Sequence, residues 1–502
     1  MDKKRIGNIC LTLVLVVTII AGIVQTSGLD LKSLLAFGNN TIHPHTKVVV
    51  RDLSKAFDVI LENSTKEFRK GYPIDHSFLY WMEKEFGDEA LMDIAYHLYE
   101  GLVDEGLWYE MTGNSMHVLW LMYCKDLGFS TYQLEKVHWM ECAANDVVTI
   151  DFIGDINFAD DWHTMQAASK KANGFYDCIS DDIVNELQAA DISVINNEFV
   201  FTDGGDRQEN KAYTFGAKTE YVAYLDAFGA DLANLANNHT YDYRASGLMD
   251  TIATLEGHGI ATMGAGANLE EAKAIQYYIA NGKKIAFVAA TEIERYSNYT
   301  KEATETEAGV LKTLNPKIYN EVIAEAKANS DYVIASVHWG DEGNYKYIAA
   351  QHNLAEGFVK AGADAVIGGH PHRMQGVEYI NGVPVLYSLG NFWFSTGTLY
   401  TAIAQVQIDA EGKLAVRMIP CLQKDLTTTM LSGKDAENFY KFMADVSTNV
   451  VIDKDGFIYN TSNGNNSHLL NGENYQSGKN YGKHNGSKDL EGRAIDVVGN
   501  LR

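Results

Sequence analysis

Two histidines stand one residue apart in the stretch AVIGGHPHRMQG, residues 365–376, directly after an apolar run and a glycine pair. Polar groups follow four other apolar runs in the same way. The residues concerned are Asp155, the Asn196–Asn197–Glu198 run, the Asn237–Asn238–His239 run, His338, and the His370 and His372 pair. Carboxylate oxygens, amide oxygens and neutral imidazole nitrogens are ligands of hard or borderline divalent cations. These residue types therefore predict a metal site.

The apolar runs that precede these groups have the composition of buried strands. They alternate with helical patterns such as SDDIVNELQAA, GLMDTIATLEGHG and NPKIYNEVIAEAKANS, which indicates βα units. In open α/β sheets, ligands bind beyond the carboxyl ends of the strands, so the polar groups converge if the strands are neighbours. Two cations close together could clamp a phosphate and activate water for phosphoester hydrolysis.

Each of these groups also has a purely structural interpretation. A single histidine can be a core residue, NNH at 237–239 can form a turn, and Asp155 or Glu198 can cap a helix. The coincidence of several strand ends favours a shared site over these separate explanations. By contrast, GAGAN at 264–268 lacks the GxGxxG spacing and is predicted to be a strand-to-helix turn.

Composition limits the partners of the chain. The 502 residues are 46% hydrophobic, as in a globular protein with a sizeable core, and the net charge is −25. This charge excludes nucleic acid as the main partner and favours a bound cation. The 5 cysteines show no CxxC spacing and indicate neither a zinc ribbon nor a disulfide scaffold.

The N-terminus predicts a membrane anchor. The basic segment MDKKR precedes the apolar run IGNICLTLVLVVTIIAGIV at residues 6–24, which is long enough to span a bilayer. The positive-inside rule places the N-terminus in the cytoplasm and the remaining chain outside. No A-x-A cleavage site follows, so a retained anchor is favoured over a cleaved signal peptide. We expect a single-pass protein of the cell membrane whose main domain is extracellular.

The chain divides by composition into five segments. Residues 1–28 hold the basic flank and the anchor, and residues 29–46 are predicted to be a linker. Residues 47–145 carry Leu, Met, Tyr and Trp at helical spacing and predict a small helical segment. Residues 146–455 carry the βα alternation, and the polar tail at 456–502, rich in Asn, Gly and Ser, is predicted to be disordered.

An ordered set of motifs between residues 147 and 425 resembles the CapA family of capsule-synthesis and poly-γ-glutamate biosynthesis proteins. The motifs are FIGDI, INNEFVFTD, KAYTFGAK, DLANLANNHTYDYRASGLMDT, GAGANLEEA, VHWGDEGNY, GADAVIGGHPHRMQG and YSLGNFWFS. The domain of that family is related to calcineurin-like metallophosphoesterases. The resemblance implies an α/β fold of four layers, an αββα sandwich with two sheets between helices. It also implies a surface protein that faces outward and serves the synthesis or export of an anionic polymer.

The resemblance also implies roles for individual residues. Asp155 matches the first metal-binding aspartate, Glu198 stands in the place of a carboxylate that bridges two metals, and His239 matches the catalytic histidine that protonates the leaving oxygen. The other implied metal ligands are Asn157, Asn238, His338, His370 and His372, and the candidates for holding a substrate anion are Lys211 and Arg244.

Two departures from the phosphoesterase pattern leave the number of metal ions open. Asn157 stands where related phosphoesterases have a histidine, and it could coordinate only through its amide oxygen. Glu198 is longer than the usual bridging aspartate, and both changes fall on the same metal position. We therefore expect one or two divalent ions, with Mn, Fe and Zn as the candidates.

Three functions remain open at this level. The leading hypothesis is a membrane-anchored, metal-dependent hydrolase or transferase that acts on an anionic surface polymer or its precursor, in synthesis, release or attachment. The bond could be a phosphoester or an amide. The second is a non-catalytic subunit of a polymer synthesis and export complex with other capsule-synthesis subunits. The third is a general extracellular phosphoesterase.

Overall fold

The computed structural model describes most of the chain from residue 147 to residue 479. The exceptions in that range are 282, 295–297, 463, 465 and 471–473, and the described residues before it are 56, 57, 60, 61, 76–99, 108, 111–114, 116–127 and 136–140. The predicted membrane span at 6–24 and the predicted linker at 29–46 lie outside the described residues. None of the helices within the described residues is long and apolar enough to cross a bilayer.

The helices are short to medium in length. Their bounds are α1 His76–Phe86, α2 Asp88–Tyr99, α3 Met116–Asp126, α4 His163–Ala168, α5 Asp181–Ala189, α6 Arg244–Gly257, α7 Leu269–Ala272, α8 Lys317–Ala328, α9 Ala349–Ala361 and α10 Gly433–Val446. Three 3₁₀ segments are Gly174–Asp177, Thr219–Phe228 and Ser467–Leu469.

The strands of the described residues begin at position 137. Their bounds are β1 Val137–Met140, β2 Val148–Ile156, β3 Ile192–Asn197, β4 Val200–Phe201, β5 Gly216–Ala217, β6 Leu232–Asn234, β7 Ala261–Met263, β8 Ala265–Gly266, β9 Gln276–Ala280, β10 Lys283–Thr291, β11 Gly309–Val310, β12 Tyr332–His338, β13 Ala365–Gly369, β14 Val377–Ile380, β15 Val383–Leu386, β16 Asn391–Trp393, β17 Leu399–Ile408, β18 Leu414–Lys424, β19 Thr427–Met430, β20 Val450–Ile452, β21 Phe457–Asn460 and β22 Tyr475–Gln476.

Contacts divide the chain into two compact units between Thr131 and Tyr132. In the first unit, the described residues form α1, α2 and α3, as the helical spacing predicts. Their aromatic side chains pack together, with the Phe78 and Tyr123 rings 5.3 Å apart. The Trp81 indole donates to Asp126 Oδ2 at 2.8 Å, which ties α1 to the end of α3.

The second unit is built on two mixed sheets. One sheet has the strand order β1-β9-β10-β12-β13-β15-β14, and the other has the order β22-β20-β21-β18-β17-β2-β3-β6-β7, with β16 on β2 and β19 on β18. The strands that carry the polar groups run parallel to their neighbours, β12 with β13 in the first sheet and β2 with β3 and β6 in the second. Their carboxyl ends therefore lie together within each sheet.

The two sheets pack face to face because their strands present apolar side chains on the inner face. Phe152 and Val194 of one sheet share a buried cluster with Phe287, Ile334 and Ile367 of the other. Burial of each such side chain contributes about 1.5–3 kcal/mol. The Phe152 and Phe287 rings, 6.3 Å apart, join the two sheets directly.

Helices cover the outer face of each sheet. Ile183 of α5 and Leu248 of α6 pack against Ile195 in a second buried cluster outside the β2 sheet. On the outside of the other sheet, Tyr319 of α8 stacks edge-on against Phe358 of α9, and its hydroxyl donates to the Ser336 carbonyl at 2.7 Å. The α/β class is confirmed, and the layers follow the implied order of helix, sheet, sheet and helix.

Strand pairing extends the second unit beyond the segment limits predicted from composition. At its start, β1 pairs with β9, so residues 137–140 belong to the sheet although they lie inside the predicted helical segment. At its end, β21 pairs with β18, and β22 pairs with β20, inside the predicted polar tail. The apolar residues Phe457 and Ile458 supply a strand there, between the turn at residues 453–456 and the Asn- and Ser-rich segment from which composition alone predicts disorder.

Candidate metal centre

The polar groups predicted from the five strand ends converge from both sheets. Asp155 lies at the end of β2 and Glu198 directly after β3, while His338 ends β12. His370 and His372 follow β13 in the next strand of that sheet. All of these side chains are buried.

Their ligand atoms form two triads that share one carboxylate. Glu198, His338 and His370 make one triad, and Asp155, Glu198 and His372 make the other, with the ligand atoms of each triad within 4.8 Å of one another. His338 Nε2 lies 3.6 Å from Glu198 Oε1, and His372 Nε2 lies 3.8 Å from the same oxygen. Glu198 is thus the residue common to both triads, as expected of the bridging role that the family resemblance implies.

A bulge in β2 sets the position of Asp155. The register between β2 and β3 shifts between Phe152 and Asp155, and Gly154 in that interval packs so closely that a Cβ there would lie 2.0 Å from the Gly390 carbonyl oxygen. The Asp155 amide donates to that same oxygen at 2.9 Å. A bulge re-aims the side chain that follows it, and here that side chain is the carboxylate of Asp155.

Amide side chains hold the Asp155 carboxylate from behind. Asn196 Nδ2 donates to Asp155 Oδ1 at 2.7 Å, and the Asn196 side-chain oxygen accepts from Asn234 and Asn237 at 3.2 and 3.4 Å. Gly369 faces this group, since a Cβ there would lie 3.3 Å from Asp155 Oδ1 and 3.4 Å from His338 Nδ1. The backbone of β13 therefore closes the back of the cluster.

The two carboxyl groups titrate in opposite directions. Burial raises the pKa of Glu198 well above its usual value, and the negative charge of Asp155 raises it further. Burial would also raise the pKa of Asp155, but its contact with His372, at 3.0 Å between Oδ2 and Nδ1, brings it below the usual range. Glu198 is consequently the group that most needs a neighbouring positive charge to ionise.

The GGHPH loop bends sharply to direct both of its histidines at the strand ends. His370 and His372 have φ values of 97° and 54°, a left-handed backbone that non-glycine residues rarely adopt outside constrained or functional sites. His372 Nδ1 is held 2.7 Å from Asn391 Oδ1, and His370 Nδ1 lies 3.2 Å from His338 Nε2. The loop is therefore shaped to place imidazole groups in the cluster.

His338 is the most deeply buried imidazole of the cluster. Burial lowers its pKa to about 3, so the ring is neutral at physiological pH and offers a lone pair. Its Nε2 lies 2.8 Å from Asn238 Oδ1, which brings the amide of Asn238 into the cluster as well. A neutral imidazole is the protonation state that a metal ligand requires.

The chemistry of this donor set fits a divalent cation. Among the described residues, the buried Glu198 Oε1 has no hydrogen-bond donor, although the rings of His338 and His372 lie within 3.8 Å of it. Burying such a carboxylate without a positive partner is unfavourable, and a cation held between carboxylate oxygens and imidazole nitrogens removes the penalty. Oxygen and nitrogen donors without a thiolate suit Mn, Fe or Zn.

His239 lies beside the cluster and is oriented by a carboxylate. Its Nδ1 is 2.8 Å from Asp242 Oδ2, and its ring packs 4.3 Å from the ring of Phe215. Burial lowers the pKa of His239, and the charge of Asp242 opposes that shift. With Nδ1 engaged, Nε2 is the ring nitrogen that can exchange a proton with a substrate.

The structure places Lys211 as a support for the Asn238–His239 turn. Its Nζ donates to Asp242 Oδ1 at 2.6 Å and to the Asn238 carbonyl, and it lies 3.7 Å from Glu294 Oε1. Two of these oxygens accept hydrogen bonds from the ammonium group, so the structure pairs Lys211 with Asp242 and the Asn238 carbonyl. That Lys211 holds a substrate anion stays a prediction.

Arg244 and Asn157 also differ in placement from the implied roles. Arg244 begins α6 with its side chain about half exposed, and its Nε pairs with Asp206 Oδ2 at 2.8 Å, so the structure does not bring it into the buried cluster. Asn157 is buried, but its amide oxygen accepts from the Ala159 N–H at 2.8 Å. The amide oxygen through which Asn157 could coordinate a metal thus accepts a hydrogen bond from the turn that follows it, and its role as a ligand stays a prediction.

Three residues of the site were not singled out from the sequence. Asp242 orients His239, Asn391 orients His372, and Arg373 lies buried next to His372. The spacing of His239 and Asp242, three residues apart, was a usable signal for the first. Asn391 lies in another strand, β16, so only its place in the YSLGNFWFS motif pointed to it.

Fold and cluster together define a two-sheet α/β protein with a buried carboxylate–imidazole site suited to a divalent cation. Comparison with known proteins names the family. The family description "Bacterial capsule synthesis protein PGA_cap" matches residues 149–396. The PGA biosynthesis protein CapA of Bacillus subtilis (strain 168) is 31% identical over 274 residues, which cover 54% of this chain and 70% of that protein. The chain belongs to this CapA family.

A further relative and a solved structure add context. The capsule biosynthesis protein CapA of Bacillus anthracis is 32% identical over 243 residues, which are 47% of this chain but only 58% of the length of that protein. The crystal structure of a 5′-nucleotidase from Candida albicans SC5314 matches with a TM-score of 0.31 at 10% identity, covering 56% of this chain and 53% of that one. At that TM-score the likeness supports no statement about fold or function, and the fold rests on the strand pairing of this chain.

Proposed function

We propose that this CapA-family protein is a metal-dependent hydrolase or transferase that acts on an anionic cell-surface polymer or its precursor. The observation that carries the proposal is the buried pair of triads that share Glu198, with His239 beside them. Relatives named for capsule and PGA biosynthesis support a role in the synthesis, release or attachment of such a polymer. Poly-γ-glutamate is the polymer that those names suggest.

We also propose where the protein acts. The apolar run at residues 6–24, with basic residues before it, supports a single membrane anchor with the catalytic domain outside the cell. An extracellular site would meet the polymer as it leaves the membrane. Other capsule-synthesis subunits are the partners that this location favours.

In the proposed site, the chain's own residues divide the work between holding a cation and moving a proton. Asp155, Glu198, Asn238, His338, His370 and His372 would hold one or two ions of Mn, Fe or Zn. A divalent ion bound there supplies a Lewis acid and lowers the pKa of water. His239, when protonated on both ring nitrogens, would donate its Nε2 proton to the leaving oxygen or nitrogen and return to the neutral imidazole. The Asp242 carboxylate would hold Nδ1–H and support the imidazolium charge that burial disfavours. The Phe215 ring, which packs against the imidazole, would shield one face of it from water during that transfer.

Metal content tests the first part of the proposal. We expect one or two transition-metal ions per purified chain by elemental analysis, and loss of that metal in Glu198→Gln and His338→Ala. His258→Ala is the matched control, because His258 is partly exposed and pairs with Asp226 at 2.8 Å away from the cluster. A folded chain that takes up no Mn, Fe or Zn after reconstitution would contradict the proposal.

Polymer output in cells tests the chemical role of His239. We expect His239→Ala to lower output about 10²–10⁴-fold, the usual contribution of a general acid, while metal content stays unchanged. Asp242→Asn should give a smaller loss, because the imidazole remains but its orientation and charge support are weakened. Full output with both His239→Ala and Glu198→Gln would instead identify the protein as a non-catalytic subunit. Turnover of simple phosphoesters that His239→Ala abolishes would identify a general phosphoesterase.

A further inference from the structure

Arg373 is a buried cation at the edge of the metal cluster. It directly follows His372, and its side chain is only 6% exposed. Its Nη1 donates to the His372 carbonyl at 2.7 Å, and the guanidinium lies 5.8 Å from the centre of the Tyr345 ring. The group is therefore fixed in place close to a residue of the proposed site.

Within the described residues, one buried donor of this guanidinium, Nε, has no hydrogen-bond partner. An arginine side chain carries five N–H donors. The acceptors found for it are the His372 carbonyl and the hydroxyl of Tyr345, while the buried Nε has no partner among the described residues. A buried charge without a counter-ion is strongly unfavourable, so this donor pattern calls for an anion.

Neighbouring side chains do not supply that anion. Glu342 acts electrostatically on both Arg373 and His372, yet it is exposed and makes no ion pair with Arg373 within the described part of the chain. Lys211 shows the contrast, because its equally buried ammonium has Asp242 as a partner at 2.6 Å. Among the described residues, Arg373 is thus a buried cation next to His372 that has no ion-pair partner.

We propose that Arg373 binds an oxyanion group of the substrate, a phosphate or a carboxylate, through two parallel N–H donors beside the metal cluster. This inference rests on the proposed function, because it assigns the anionic group of the polymer or its precursor to a place next to the reacting bond. A guanidinium presents the planar fork that either oxyanion matches. It adds to Lys211 and Arg244, the residues that the resemblance implies for holding the substrate anion.

Binding of two small probes distinguishes the two oxyanions. Inorganic phosphate and γ-linked tetraglutamate would be titrated calorimetrically into the full chain in detergent, each with and without added Mn²⁺. Arg373→Gln keeps a side-chain amide that can donate to the His372 carbonyl, so the local fold is expected to persist. Arg373→Lys keeps the charge but loses the fork.

The matched control is Arg417→Gln. Arg417 also lies 5.8 Å from an aromatic ring, that of Phe457, and donates to the Asp455 carbonyl at 2.8 Å, but it lies on β18 away from the cluster. It should bind both probes as the wild type does. Loss of affinity in this control would show a general effect of removing an arginine.

We expect Arg373→Gln to weaken binding of the preferred probe about tenfold or more, because the charge and the forked pair of donors are both lost. Arg373→Lys should weaken binding less, because the charge remains and only the fork is lost. Wild-type affinity in Arg373→Gln overturns the inference, and so does wild-type affinity in Arg373→Lys if the glutamine variant fails to fold. Absence of binding of both probes to the wild type also overturns it. Binding that depends on Arg373 in a chain that holds no metal would sustain this inference while the proposed function fails.

Discussion

At the scale of single residues, the site is marked by several buried ionisable groups that lie together. Glu198 and His338 are buried side by side, and each is shifted toward its neutral form by burial. Such groups destabilise the fold unless a ligand compensates them. Asp151, which lies on the same strand as Asp155, is a buried acid outside the cluster and allows the effect of burial to be measured alone.

We expect the buried Asp151 to make the free energy of unfolding depend on pH. Burial raises its pKa from 3.8 to about 7, with Glu186 adding to the shift and Gln405 opposing it. The unfolded chain releases this proton near its ordinary pKa, whereas the folded chain retains it until about pH 7, so stability falls as pH rises between these values. Asp151→Asn removes that loss and should raise the free energy of unfolding by roughly 2–4 kcal/mol at pH 8, and by little at pH 4.

Urea unfolding of the variant and the wild type at several pH values measures this difference. The control is Asp182→Asn, because Asp182 is exposed in the first turn of α5 and should change stability by only a few tenths of a kcal/mol at either pH. A difference between Asp151→Asn and the wild type that is the same at pH 4 and pH 8 would show that Asp151 has the same pKa in the folded and the unfolded chain.

At the scale of elements, the sequence predicted the strands that have a distinctive local pattern of apolar and polar residues. The runs that become β2, β3, β12 and β13 are short and apolar with polar ends, and their order identified the groups that converge. The hairpin of β17 and β18 was not predicted, because its strands carry no polar terminus that would mark them as part of the site. The roles of Lys211 and Arg244 also could not be assigned from sequence, because only tertiary packing shows that Asp242 and Asp206 occupy them.

Among the elements, the bulge in β2 leads to a prediction that a single substitution can test. In Gly154→Ala the new Cβ would lie 2.0 Å from the Gly390 carbonyl oxygen, so β2 has to move away from its neighbour. We expect a loss of about 3 kcal/mol or more in the free energy of unfolding, together with reduced metal content, because Asp155 moves with the strand. Urea unfolding and elemental analysis measure the two effects.

A second glycine gives the matched control for this substitution. Gly257 ends α6, and a Cβ there would meet nothing within 4 Å. Gly257→Ala should therefore stabilise the chain by roughly 0.5–1 kcal/mol, as expected for a helical glycine. Equal stability and metal content in Gly154→Ala and the wild type would mean that the close approach of β2 to Gly390 does not set the position of Asp155.

At the scale of the whole molecule, the net charge and the proposed site have opposite effects on the binding of an anionic polymer. The net charge of −25 repels an anionic polymer at long range, while bound cations and Arg373 would attract it locally. We therefore expect association with a polyanion to depend on short-range contacts at the site, which the second unit carries. Two observations show where that unit begins: contacts divide the chain after Thr131, and the edge strand β1 pairs with β9.

The edge strand makes the extent of the second unit testable. A fragment of residues 132–502 keeps β1, whose residues pair with β9, and keeps the His138 ring stacked 4.6 Å from the ring of Tyr278. A fragment of residues 147–502 exposes β9 as a new edge and should lose roughly 1–3 kcal/mol in the free energy of unfolding. Urea unfolding compares the two, and His138→Ala in the longer fragment should show part of the loss, because His138 also lies 2.9 Å from Gln276 Oε1. Equal stability of both fragments would place the start of the folded unit after β1, at the boundary that composition alone suggests.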